Sequence, residues 1–152
     1  MYTSPYPINL VAADAVVVKH GHVLVVERAD TGKLACPGGF VGVDETTYAA
    51  AIRELKEETG FDIMNMYPTD YRVFDRPDRS PGRGRIISHA YFFNLPNYGG
   101  LPQVKGADDA RRAYWITFHD VLYIRQHDFF EDHQSIIYNF ISKFTYVEKP
   151  NP

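Results

Sequence analysis

Apolar and polar positions divide the chain into stretches of two different periods. Val11 to Lys19 is dense in Val and Ala, and Val23 to Glu27 is a second short β-prone run. His20-Gly21-His22 between them suits a tight turn, so the pair predicts a hairpin. Pro37-Gly38-Gly39 then breaks the pattern, where backbone must turn sharply or approach something closely. From Thr46 to Thr59 the period becomes helical: Tyr48, Ile52, Leu55 and Thr59 share one face, with Ala51 beside them. Asp44 or Glu45 is the expected cap, and Gly60 stands where a helix stop belongs.

Farther along, Tyr71 to Phe74 and Ile86 to Leu95 predict strands that flank a loop, Asp75 to Arg85, crowded with Arg, Pro and Gly. Ala113 to Phe118 predicts another strand. Phe129 to Phe144 predicts a final helix, with Phe130, Ile137, Phe140, Ile141 and Phe144 at helical spacing. Val147 to Pro152 reads as a loose tail. Strands mixed with two well-separated helices favour an α/β/α or α+β sandwich. The expectation is a single domain over 1–152, with its core at about 9–146.

Composition narrows the class. With 45% apolar and 23% charged residues the 152-residue chain has ordinary globular usage. Lys plus Arg number 16 against 19 Asp plus Glu, a balance of −3, which argues against a general nucleic-acid binder. Cys36 is the only cysteine, which excludes an intrachain disulfide and reads as a small buried side chain. Met1 to Leu10 has no basic leader, and the apolar run Leu10 to Val18 is interrupted by Asp14 and too short to span a bilayer. A soluble cytoplasmic protein without nucleic-acid or membrane partners is expected.

Candidate chemistry lies on the first helix. Glu54, Glu57 and Glu58 are related as i, i+3 and i+4, so their charges repel by roughly a few tenths of a kcal/mol per pair. A divalent cation would offset this, and hard carboxylate oxygens suit Mg²⁺ or Mn²⁺. Alone, Glu-x-x-Glu-Glu is ordinarily a solvated acidic face. Its context here is Gly39, five residues, Glu45, seven residues, then Arg53-Glu54-Leu55-Lys56-Glu57-Glu58-Thr59-Gly60-Phe61.

That spacing resembles the complete signature of the Nudix hydrolase family. The resemblance implies an α/β/α sandwich around a mixed sheet and hydrolysis of a nucleoside diphosphate linked to another moiety. It implies that Glu54, Glu57 and Glu58 hold one or more Mg²⁺ ions, with the carbonyl of Gly38 as a further ligand. Glu45 and Arg53 would pair and orient the carboxylates, while Leu55 and Phe61 anchor the motif in the core. Glu58 or Glu57 is the candidate general base, and Asp108 or Asp109 is the alternative base or an extra ligand.

Specificity must come from elsewhere, and the loop offers Arg76, Arg79, Arg83 and Arg85 against Asp75 and Asp78. Arginine suits bidentate contact with phosphate oxygens. Taken alone, a flexible basic surface loop or a weak single-stranded nucleic-acid patch fits the same residues. Phe74-Asp75-Arg76-Pro77-Asp78-Arg79-Ser80 followed by Gly84-Arg85-Ile86-Ile87-Ser88-His89-Ala90-Tyr91 resembles a narrower group, as do Val104 to Ala110 and Phe130-Glu131-Asp132-His133. That group is the Nudix domain of bifunctional nicotinamide mononucleotide adenylyltransferase/ADP-ribose pyrophosphatases.

This narrower resemblance implies Mg²⁺-dependent cleavage of ADP-ribose to AMP and ribose 5-phosphate. Arg76, Arg79, Arg83, Arg85 and Asp109 are the candidate substrate contacts. An adenylyltransferase part finds no room in 152 residues, so a freestanding relative or an excised fragment is expected. Other nucleoside diphosphate derivatives (a dinucleotide, a nucleotide sugar, an oxidised nucleoside triphosphate) are the alternative substrates. A non-catalytic ADP-ribose-sensing domain is the alternative of another class, disfavoured by the intact glutamates. A homodimer is compatible with the family, though no segment marks an interface.

Phe74, Tyr91 and Tyr114 are candidate adenine platforms, although strand aromatics are ordinarily core. His89 and His133 read as hydrogen-bonded structural histidines. From Gly39 to Phe61 the local charge is −3, and from Arg72 to Arg85 it is +3. If folding brings these segments together, one recruits metal and the other phosphate.

Overall fold

The computed structural model describes residues 1–63 and 66–145. The expected tail at 147–152 lies outside the described residues. β1 (Leu10–Lys19) and β2 (His22–Arg28) form the expected hairpin. His20 and Gly21, with φ of 51° and 67°, make its turn, and positive φ at both positions matches the twist of the flanking strands.

Next come β3 (Leu34–Ala35), β4 (Gly38–Phe40), α1 (Thr47–Thr59), β5 (Asp70–Phe74), β6 (Ile86–Asn94) and β7 (Ala110–Thr117). A single π turn (Asp120–Ile124) and α2 (His133–Thr145) complete the order. The sheet runs β3-β2-β1-β6-β5, with β4 paired to β1 and β7 to β2. β1 and β6 run parallel and the other pairs antiparallel, which makes the sheet mixed.

Alternation along β1 sends side chains to two faces. Val16 and Val18 pack with Ile137, Phe140 and Ile141 of α2, while Ala15 and Val17 pack with Leu55 of α1. Phe61 joins the α1 layer from the edge. Each fully buried Leu or Phe contributes about 1.5–3 kcal/mol, so both layers bind their helix firmly. The result is the expected helix-sheet-helix sandwich. Cys36 is buried as expected. Among the described residues no helix is long and apolar enough to cross a membrane.

Three expectations shift. Thr46, not Asp44 or Glu45, caps α1: its hydroxyl accepts the Ala49 N–H at 3.0 Å. Glu45 is engaged elsewhere, by the Gly42 N–H and Arg53. The Pro37-Gly39 break contains a strand, because Gly38–Phe40 finds a partner in Ala12–Asp14 of β1. The last helix starts at His133 and not at Phe129. Glu131, with φ of 45°, turns the chain out of the helical path, and the Phe130 N–H bonds the Leu34 carbonyl at 2.7 Å. Gly60 ends α1 as expected, with φ of 74° and its N–H on the Lys56 carbonyl at 2.9 Å.

Candidate active site

Helical spacing on α1 brings Glu54 and Glu58 beside Gly39 and Gly38 of β4. Glu58 is buried at 6% exposure, Glu54 is largely buried, and Glu57 faces outward. Asp108, before β7, joins them: carboxylate oxygens of Glu54, Glu57 and Asp108 lie within 4.8 Å of one another. The Gly38 N–H donates to Glu58 at 3.3 Å. A Cβ on Gly39 would stand 2.5 Å from Glu54 Oε1, and one on Gly38 would stand 2.5 Å from the Ala13 carbonyl oxygen. Glycine at both positions therefore lets β4 approach the helix and β1 this closely.

Arg53 ties the acids together. Its Nε and Nη2 donate to Glu45 at 3.0 and 2.7 Å, Nη1 donates to Glu54 and Glu57 at 2.9 and 3.1 Å, and Nη2 also reaches the Phe40 carbonyl at 3.2 Å. The planar fork suits this many acceptors. Arg53 and the Gly42 N–H hold the Glu45 carboxyl down at about 2. Burial pushes Glu54 up despite the opposing Arg53. Glu58 is pushed up to about 8, chiefly by burial and then by the neighbouring Glu54, Asp14 and Asp109 charges, against a lowering hydrogen bond from Gly38. Among the described residues Glu58 has no salt-bridge partner. A buried carboxylate without such a partner, amid other hard oxygen donors, fits a divalent cation.

A cavity of about 1230 Å³ opens beside this group, with Glu54, Glu58, Arg53, Asp109, Arg28 and Arg83 on its walls. Gly38, Gly39 and Glu45 also line it. Of the loop arginines, Arg83 is the one that reaches it, with Nη1 bonded to Glu131 and its guanidinium 5.1 Å from the Phe130 ring centroid. Arg79 is buried and forks onto Asp132 at 2.9 and 2.8 Å, with its third nitrogen on the Ile86 carbonyl. Arg76 is exposed and pairs with Asp78 at 2.9 Å. Arg85 is half-buried and lines no wall of the cavity.

Sequence reasoning missed Arg28, Phe40 and Asp14. Arg28 ends β2 on the cavity wall, its guanidinium 4.0 Å from the Phe130 centroid and forked onto Asp30 at 2.9 and 2.7 Å. Phe40 is 49% exposed on that wall. Asp14 is buried and accepts a hydrogen bond from Ser88. Its charge inside an apolar run was the available signal. The named aromatics lie elsewhere: Phe74 packs on Phe140, Tyr91 bonds Thr47, and Tyr114 bonds Arg125. His89 bonds the Tyr71 hydroxyl and His133 Nδ1 accepts the Cys36 N–H at 3.0 Å, both structural roles.

The NUDIX domain family model matches residues 9–140. An ADP-ribose pyrophosphatase of Methanocaldococcus jannaschii is 34% identical over 114 residues, which cover 73% of this chain and 63% of that protein. A bifunctional NMN adenylyltransferase/ADP ribose pyrophosphatase from Francisella tularensis, crystallised with AMP and a manganese ion, is 36% identical with a TM-score of 0.83. That match covers 92% of this chain and 43% of the Francisella chain. The NUDIX domain of Shewanella oneidensis NrtR shares the fold at a TM-score of 0.73 and 22% identity, over 93% of this chain and 94% of its own. The chain spans under two thirds of the length of the first two relatives. Nudix hydrolases use divalent metals, in keeping with the carboxylate cluster. With the family model matched along most of its length and the glycine-loop-glutamate helix at the cavity wall, the chain belongs to the Nudix family of hydrolases.

Proposed function

We propose that this chain hydrolyses the diphosphate bond of ADP-ribose to AMP and ribose 5-phosphate, with Mg²⁺ as the cofactor and Mn²⁺ as a working substitute. One observation carries this reading: a single cavity has buried carboxylates on one wall and the guanidinium groups of Arg28 and Arg83 on another. Such a pairing matches a diphosphate bridged to a divalent cation. Similarity to the two ADP-ribose pyrophosphatases favours ADP-ribose as the diphosphate ester.

Glu54, Glu57, Glu58 and Asp108 would hold the metal, with the carbonyl of Gly38 as a further ligand. When bound, the metal neutralises diphosphate charge and lowers the pKa of an attacking water. Arg53, fixed by Glu45, keeps the carboxylates of Glu54 and Glu57 in place before substrate arrives. Glu58 accepts the water's proton at a carboxylate oxygen; a bound cation would favour its charged form, against the burial that raises it in the metal-free protein. Arg83 and Arg28 donate N–H groups to the diphosphate oxygens, Asp109 accepts from a ribose hydroxyl, and Phe40 offers a face to the adenine.

Incubation with ADP-ribose, NADH and nucleoside triphosphates plus Mg²⁺, followed by chromatography, tests this. Equimolar AMP and ribose 5-phosphate are expected. Survival of ADP-ribose while another of these compounds is consumed would replace it as the substrate.

A further inference from the structure

The segment Phe130-Glu131-Asp132-His133 leads into α2, and its residues reach Cys36, Arg79, Arg28 and Arg83. His133 Nδ1 accepts the Cys36 N–H, two residues before Gly38. Asp132 holds Arg79. The Phe130 ring carries the guanidinium groups of both Arg28 and Arg83, at 4.0 and 5.1 Å from its centroid. Glu131 accepts a hydrogen bond from Arg83 Nη1.

Three features single out Glu131. Its φ of 45° is a left-handed backbone that a long side chain rarely adopts. Its charged side chain is only 9% exposed. Its Oε2 is buried and has no hydrogen-bond partner among the described residues. Strain and an unpaired buried oxygen persist together only where the surroundings over-determine the geometry. What they hold in place here is Arg83.

Arg83 also differs from its neighbours in what it has left to offer. Arg79 has all three guanidinium nitrogens bonded inside the protein, and Arg76 lies outside the cavity. Among the described residues the Arg83 side chain makes one hydrogen bond, through Nη1. Nε and Nη2 retain their donors.

We propose that Glu131 is a positioning residue: it clamps Arg83 Nη1 beside Phe130, so that the remaining donors of Arg83 meet the phosphate oxygens of the substrate. The guanidinium is thereby ordered before the ligand binds, which removes an entropic cost from binding. This rests on the cavity being a nucleoside diphosphate site, as proposed above.

Hydrolysis of ADP-ribose by the unmutated protein tests that underlying reading alone. If another nucleoside diphosphate derivative is the substrate, the same comparison is made with it. Steady-state kinetics then follow for Glu131→Gln, Glu131→Gly, Arg83→Ala and the Glu131→Gln/Arg83→Ala double variant. Glu131→Gln should raise KM about tenfold and leave kcat within about threefold. The double variant should be no worse than Arg83→Ala, because Glu131 acts through Arg83. Glu131→Gly removes the backbone strain, so its Tm should equal or exceed that of the unmutated protein while KM rises as for Glu131→Gln. Multiplying effects in the double variant, or an unchanged KM in either Glu131 variant, would overturn the proposal.

Discussion

The segment of the glutamate helix (39–61) and that of the arginine loop (72–85) carry net charges of −3 and +3, yet folding uses them in opposite ways. On α1 the spacing of Glu54, Glu57 and Glu58 fixes their mutual positions before any tertiary contact forms. The loop has no such ruler. Arg76 closes on Asp78 two residues away, Arg79 is buried against Asp132, Arg85 stays off the cavity, and Arg83 lines it. Charge on a regular element thus specifies a location. In a loop, each charge goes where its partner lies.

The largest effect should come from the helix. Glu58→Gln keeps the bulk of the side chain but removes the proposed metal ligand and base, and should lower kcat by about a thousandfold at saturating Mg²⁺. AMP release at the unmutated rate would remove Glu58 from the mechanism. The loop's largest effect should be on stability. Arg79→Ala leaves Asp132 facing a gap where its ion pair was, at a cost of roughly 3 kcal/mol in denaturant unfolding. A loss mainly in KM, with stability intact, would place Arg79 among the substrate contacts instead.

A third experiment separates the regions by pH. Between about 4.5 and 8 the unfolded Glu58 carboxyl has lost its proton while the folded one keeps it. Metal-free protein should therefore be most stable near pH 5 and lose stability as pH rises to 8. Glu45, held at about 2, works in the opposite sense at lower pH: its contribution is present above about 4.5 and disappears as pH falls through 2. Unfolding midpoints in a chelator from pH 5 to 8.5 check this, and Glu58→Gln should flatten the slope. The smallest effect belongs to Arg76→Ala, whose partner is as exposed as itself. Tm and KM should both stay unchanged, and a raised KM would bring the outer loop back into the site.

The same contrast explains what could be read from the chain beforehand. α1 and its Gly60 stop were legible because spacing and termination are local properties. β4 was not, since Gly38-Gly39-Phe40 has no strand preference and becomes a strand by pairing with β1. The cap at Thr46 was missed because two acids stood beside it, and those acids look like caps until Arg53 is seen to hold Glu45. Among the arginines, sequence supplied the residue type and not the destination. Arg28, Phe40 and Glu131 come from three distant segments, and no local pattern joins them.

The parallel pairing of β1 with β6 carries a kinetic consequence. Its register runs from Leu10 opposite Ile86 to Val18 opposite Asn94, so each residue faces a partner 76 positions away. Contacts of such long range form slowly, because the intervening chain must close before they gain anything. α1 lies inside that closing loop and packs on β1 and β6 once they meet. A divalent ion that needs the assembled carboxylates should therefore act late, slowing unfolding and leaving the folding rate nearly unchanged.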